Sequence, residues 1–130
     1  MNMLEAVLAA GLLAFTTGAA AQAPSDAQIA SIVVTANQVD IDAGKLGESR
    51  GHAADVKAFA KQMVTDHSGV NKQAVALVTK LKVTPEDNPT SQSLKKAGDE
   101  NLKHLKTLKG AAFDKAYIDH EVDYHAQVID

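Results

Sequence analysis

The stretch from Val56 to Leu81 constrains this chain more than any other. Val56, Phe59/Ala60, Met63, His67, Val70, Ala74, Leu77/Val78 and Leu81 recur at an unbroken spacing of three and four, with Lys57, Lys61, Ser68, Lys72 and Lys80 between them. That period lays one apolar and one wet face along an α-helix and cannot alternate across a strand. A helix of this kind cannot bury its apolar face alone, so its partners must come from the rest of the chain. Aromatic residues are only 4% of the sequence and Trp is absent, while Ala is abundant. Small side chains suit helices packed closely on helices and are a poor basis for a β-sandwich. A length of 130 residues allows one such domain.

Three further helices are predicted. Ser25 with Gln28 three residues on makes a capping box. It opens a helix whose stripe is Ile29, Ile32, Val33, Ala36, Ala43 and Leu46, with Asp40 in phase and a turn at Ser49-Arg50-Gly51. Residues 82–91 hold Pro85 and Pro89 and read as a loop. A shorter helix should start at Thr90 or Ser91 and carry a narrow stripe of Leu94, Ala97, Leu102, Leu105 and Leu108, interrupted by Gly98 and ended by Gly110. The last helix starts near Ala111. Its buried face is Phe113, Tyr117, Ile118, Val122, Val128 and Ile129, and its seam runs through Asp114, Ile118, Glu121, His125 and Val128. The fold class is therefore an all-α up-down helical bundle over residues 22–130, with three long helices and one short. Such a set leaves one side of the core open. The expectation is a further helix beyond Asp130, with a homodimer that covers the gap as the alternative.

Ala6 to Phe15 is an apolar run followed by small residues up to Ala19-Ala20-Ala21, the pattern of a secretory leader cleaved after Ala21. Residues 1–5 depart from it, since they hold Glu5 and no Lys or Arg. The run is short for a bilayer span, so membrane association is expected only through an uncleaved leader. Export to the periplasm follows from this reading. Cysteine is absent, which excludes thiol catalysis, disulfides and Cys-ligated metal. With a net charge of −3 and no basic cluster, nucleic acid is excluded as a partner.

Several ionisable residues fall on otherwise apolar seams: Asp40 on the first helix, His67 on the second, Glu121 and His125 on the last. Burying a polar group without a partner costs about 2–7 kcal/mol, so these must meet something. Imidazoles and carboxylates facing one another in a bundle core are the material of a transition-metal site for Fe, Mn, Zn or Cu. Glu121 and His125 are spaced i to i+4, which shares a face but is not the Glu-x-x-His of di-iron proteins. The alternative is a set of buried hydrogen bonds: Glu121 with His125, and Asp66 or Asp40 with Asn37, Asn71 or Tyr117. A turn near Arg50 would set Asp40 opposite Gln62 or Met63, about four to six residues or roughly 6–9 Å short of His67. Met63 next to His67 suggests a haem pair, but without C-x-x-C-H it reads as core. His52 and His104 are expected in solvent. No nucleophile elbow and no phosphate loop is present, and nothing in the chain names an enzyme.

Gln28-Ile29-Ala30 through Gly44-Lys45-Leu46, Asp55 to Ala60, Met63-Val64-Thr65-Asp66-His67 with Asn71, and Phe113 to Ile118 through His125 resemble the bacterial family catalogued as domain of unknown function 4142. The resemblance covers almost all of the chain after the leader. It implies a ferritin-like helical bundle, exported and described as periplasmic or outer-membrane, with no established activity. Members of that family continue into another helix, and this chain stops at Asp130. The readings carried forward are a metal-binding or stress-protective bundle, a metal-free structural module, and a redox or peroxide-handling metalloenzyme.

Overall fold

A computed structural model describes residues 23–129; the leader read over residues 1–21 lies outside them, as does Asp130. The described chain is four helices: α1 (Asp26–Arg50), α2 (Ala54–Lys80), α3 (Pro89–Lys106) and α4 (Gly110–Ile129). Two of the starts have a local cause. Ser25 Oγ accepts from the Gln28 N–H at 3.2 Å while Gln28 Oε1 accepts from the Ser25 N–H at 3.1 Å, the predicted capping box. α3 starts earlier than predicted, because Asn88 Oδ1 accepts from both the Thr90 and Ser91 N–H groups at 3.1 Å, with Pro89 as the first helical residue. Proline has no N–H to lose there, and its φ already suits a helix. Gly110 does not end α3. That helix stops at Lys106, and Gly110, at φ +59°, opens α4 instead.

The helices run alternately up and down, and three contacts show how their ends align. Asn88 Nδ2 donates to the Gln28 carbonyl at 3.1 Å, so α3 starts beside the start of α1. Arg50 donates to the Leu108 carbonyl at 3.0 Å at the other end. There the N–H groups of His52 and Ala53 donate to the two oxygens of Asp114 at 2.7 and 2.8 Å, which sets the start of α4 beside that of α2. α1 packs on all three other helices, whereas direct packing between α2 and α4 is almost absent.

The α1–α2 contact is made by small residues. A Cβ on Gly47 would meet Ala60 Cβ at 2.8 Å and Tyr117 at 2.9 Å, and one on Gly44 would meet Val64 at 2.8 Å. Gly98, predicted as an interruption, is the contact point of α3, since a Cβ there would meet Val39 at 2.8 Å. Around these contacts lies the core of Ala43, Ala60, Leu105, Phe113 and Tyr117.

This changes two of the predicted faces. Ile29 and Val33 are exposed, and the buried arc of α1 is instead Ala36, Asn37, Val39, Asp40, Ile41, Ala43, Gly44 and Gly47. Close helix approach selects for small side chains, which a search for large apolar residues passes over. On α4, Val122, Val128 and Ile129 are exposed, and the buried side is Phe113, Asp114, Tyr117, Glu121 and Tyr124. Among the described residues an apolar strip between α2 and α4 is left uncovered.

Asp114 ties the turn to α4 and carries the first prediction. Its carboxyl sits below the usual carboxylate range, chiefly because the His52 N–H bonds the charged form, with the Ala53 N–H adding to it. A depressed folded pKa means stability that is present above the unfolded value and lost as pH falls through the folded one. Asp114→Asn is therefore expected to lower the urea midpoint at neutral pH, with the gap to wild type closing as the solution is acidified through and below the carboxylate range.

Candidate metal centre

α1, α2 and α4 bring Asp40, His67 and His125 together. One ligand atom from each, a carboxylate oxygen and two ring nitrogens, falls within 4.8 Å of the other two. Asp40 Oδ2 is 3.5 Å from His67 Nε2, and the two imidazole rings are 5.6 Å apart between centres. The expected axial mismatch does not occur. The non-helical turn runs from Gly51 to Ala53, later than Arg50, so α2 is shifted along α1 and Asn37 and Asp40 both face His67.

Hydrogen bonds determine which nitrogens can act. His67 Nδ1 lies 2.7 Å from Asn37 Oδ1, and the Asn37 amide is oriented by its Nδ2 donating to the Val33 carbonyl at 2.8 Å. The acceptor is an oxygen, so Nδ1 must carry the hydrogen. In the neutral ring Nε2 then holds a lone pair and has nothing to donate to Asp40, which lies beyond ordinary N–H···O range. His125 follows the same pattern: its Nδ1 donates to the Glu121 backbone carbonyl at 2.7 Å, so its Nε2 is the free nitrogen. Fixing one ring nitrogen and freeing the other is how metal-binding histidines are oriented.

The carboxylates are buried and underserved. Asp40 is 3% exposed and Glu121 2% exposed, and Asp40 Oδ1 and both Glu121 oxygens have no donor beyond the hydrogen bond the two carboxyls can make with each other. Glu121 Oε2 is 3.7 Å from His125 Nδ1, too far to share the proton already given to the backbone. Burial pushes the Glu121 carboxyl up to about 8, and the neighbouring Asp40 charge pushes the same way. Burial also raises Asp40, against the pull of His67 and His125. At neutral pH the pair therefore shares one proton, which lets the two carboxyls hydrogen-bond each other. Tyr124 and Tyr117 close the site from below and are raised by the same burial and by these two carboxyls. Tyr124 donates to the Ala36 carbonyl at 3.0 Å, one turn from Asp40.

Of the four candidate ligands, Asp40, His67 and His125 converge and Glu121 lies beside them. The predicted Glu121–His125 pairing is not made by the carboxylate, and Asn37 bonds His67, not an aspartate. Asn71 donates to the Val34 carbonyl at 3.2 Å. Asp66 is exposed on the flank of α2, as expected, and so are His52 and His104. His120 lies on the other flank of α4, stacked on Tyr124 with ring centres 5.7 Å apart, and its pKa is lowered by burial. Met63 lines an apolar groove of about 650 Å³ between α2 and α4, together with Val56, Phe59, Ile118 and Val122; Glu121 and His125 form part of the same wall. The sequence reading missed two supports of the site, Tyr124 and the role of Asn37. Asn37 stands three residues before Asp40 on the same helical face, which was the available signal.

The buried acid gives a prediction for the metal-free protein. A folded pKa raised above the unfolded one means stability that is complete at low pH and lost as pH rises through the folded value. Wild type should lose stability relative to Glu121→Gln between about pH 4.5 and about pH 8, with the difference level above that. Urea denaturation of both proteins across that range is the measurement, and parallel curves would contradict the assignment.

The family model described as Domain of unknown function (DUF4142) matches residues 13–130 of the chain. Comparison with curated proteins and with solved structures gives no match.

Proposed function

Since the chain belongs to that family, whose description names no activity, we propose from the site itself that this is a transition-metal-binding bundle, exported to the periplasm, with Asp40, His67 and His125 as ligands. The observation that carries the reading is the convergence of three potential ligand atoms from three helices beside two buried carboxyls, Asp40 and Glu121, whose free oxygens have no donor outside the pair among the described residues. Unpaired buried oxygens cost about 1–3 kcal/mol each, more when charged, and a cation among them removes that cost.

Distances support the fit. Ligand bonds to a metal such as zinc are about 2.0–2.2 Å, so two ligands at a tetrahedral edge stand roughly 3.4 Å apart. Asp40 and His67 are already at 3.5 Å. The widest separation, at most 4.8 Å, needs to close by about an ångström. Two imidazoles and one carboxylate favour Zn(II), Fe(II), Mn(II) or Cu(II) over calcium or magnesium, which prefer oxygen alone. Bound there, the ion would supply Lewis acidity or redox capacity. The chain's own residues hold and orient it: Asn37 aligns His67, the Glu121 carbonyl aligns His125, and Glu121 offers a fourth oxygen. The role proposed is binding or stress protection. Export rests on the apolar run and small residues before Gln22.

Elemental analysis and calorimetry on protein purified without an affinity tag test the reading. The expected result is one ion per chain, lost in His67→Ala and His125→Ala. Asn37→Leu should weaken binding by about 10–100-fold while leaving the ligands in place. Protein that takes up no ion, and whose thermal midpoint is unmoved by excess metal, would leave a metal-free structural module as the better description.

A further inference from the structure

Among the described residues the strip between α2 and α4 is uncovered over more than the groove beside the site. On α2, Val70, Leu77 and Leu81 are 46%, 56% and 60% exposed; on α4, Val122 and Ile129 are 65% and 83% exposed. From Phe59 to Leu77 the strip is about 27 Å long at 1.5 Å per residue. That is far beyond the reach of one small molecule and is the length of a helix lying in a groove. Contiguous exposed apolar surface of this kind marks an interaction site.

We propose that the occupant is a second copy of this chain, with each α2 lying antiparallel in the other's α2/α4 groove about a two-fold axis near Ser68. The pattern along α2 is what selects a second copy. Phe59 and Leu77 are eighteen residues apart, which is five whole turns at about 100° per residue, so they stand on one line of the helix. Val56 with Leu81, and Asp55 with Lys80, are each twenty-five residues apart and fall within about 20° of alignment. All three pairs are centred on Ser68 to within a residue. An antiparallel two-fold through that point sets Phe59 on the partner's Leu77, Val56 on the partner's Leu81, and the exposed Asp55 carboxylate beside the partner's Lys80. Each contact then occurs twice, as an isologous interface requires. The charges agree with this direction: the acid stands at the start of α2 and the lysine at its end, so antiparallel pairing brings opposite charges together at both rims, whereas parallel pairing would set Asp55 on Asp55. Gln73 is left toward the edge, and Asp66, within about 20° of the Phe59–Leu77 line, comes level with the partner's Val70 with its carboxylate accepting from Gln62. The contact would also cover Val122 and the groove wall that includes His125. It does not depend on the ligand assignment, because none of the pairing residues is a ligand.

Analytical ultracentrifugation of the full chain over a range of concentrations, with and without metal, tests the proposal. A reversible dimer is expected, at least tenfold weaker in Leu77→Glu. Asp55→Lys and Lys80→Asp should each weaken it, and the double variant Asp55→Lys/Lys80→Asp should recover most of the loss, with helical circular dichroism unchanged in all of them. The recovery separates antiparallel α2 pairing from any other dimer and from a variant that merely misfolds. A monomer at every concentration, a strip covered by residues 1–22 of the same chain, or a dimer indifferent to both charge changes would each overturn it.

Discussion

The close approach of α1 and α2 is the constraint on which the rest of this structure depends. Gly44, Gly47 and Ala60 leave no room for a larger side chain between the two backbones. At that separation the side chains flanking the contact are forced into reach of one another, and on this face they are Asn37, Asp40 and His67. A wider crossing would have placed Asp40 in solvent, where its charge is cheap, and His67 on an apolar surface. The glycines thus do more than pack. They turn two residues of separate helices into one electrostatic unit, and α4 completes it with His125 and Glu121.

α4 is held differently. It meets α1 and α3 through large aromatic side chains, with Phe113 and Tyr117 fully buried and Tyr124 bonded to the α1 backbone. Aromatic rings fill a wider gap than methyl groups do, so α4 stands off from α1. It also leaves the side toward α2 bridged only by side chains, Phe59 on Tyr117 and His67 on His125. The candidate site and the open groove therefore have the same origin. The standoff that makes room for four polar side chains among three helices also leaves an apolar strip without a neighbour.

Burial of Asp40 and Glu121 is the cost of this arrangement. Two carboxyls out of water beside each other cannot both ionise at neutral pH, and the histidines that could offset them have given their Nδ1 hydrogens to other acceptors. Such an arrangement leaves one proton shared between two carboxyls buried among the helices. Conversely, a core built only for stability would be served better by apolar residues of the same volume, since buried ionic groups seldom exceed a hydrophobic replacement.

Much of this was legible in the sequence. The Val56–Leu81 ladder, the Ser25–Gln28 box and Pro85 and Pro89, before and at the start of α3, specify helices and connections through local chemistry that needs no tertiary partner. The four candidate ligands could be named because a charged or imidazole group on an apolar phase is costly wherever the helix packs. What the sequence could not supply was which part of each apolar face would be buried, because Ile29 and Val122 look better buried than Gly47 and Gly98 until helix spacing is known. Nor could it supply the axial alignment of Asp40 with His67, which depends on a turn extending to Ala53 and clamped by Asp114 from sixty residues away. Local periodicity determined the helices and their candidate residues; only tertiary packing, through helix separation and register, decided that three of those residues meet.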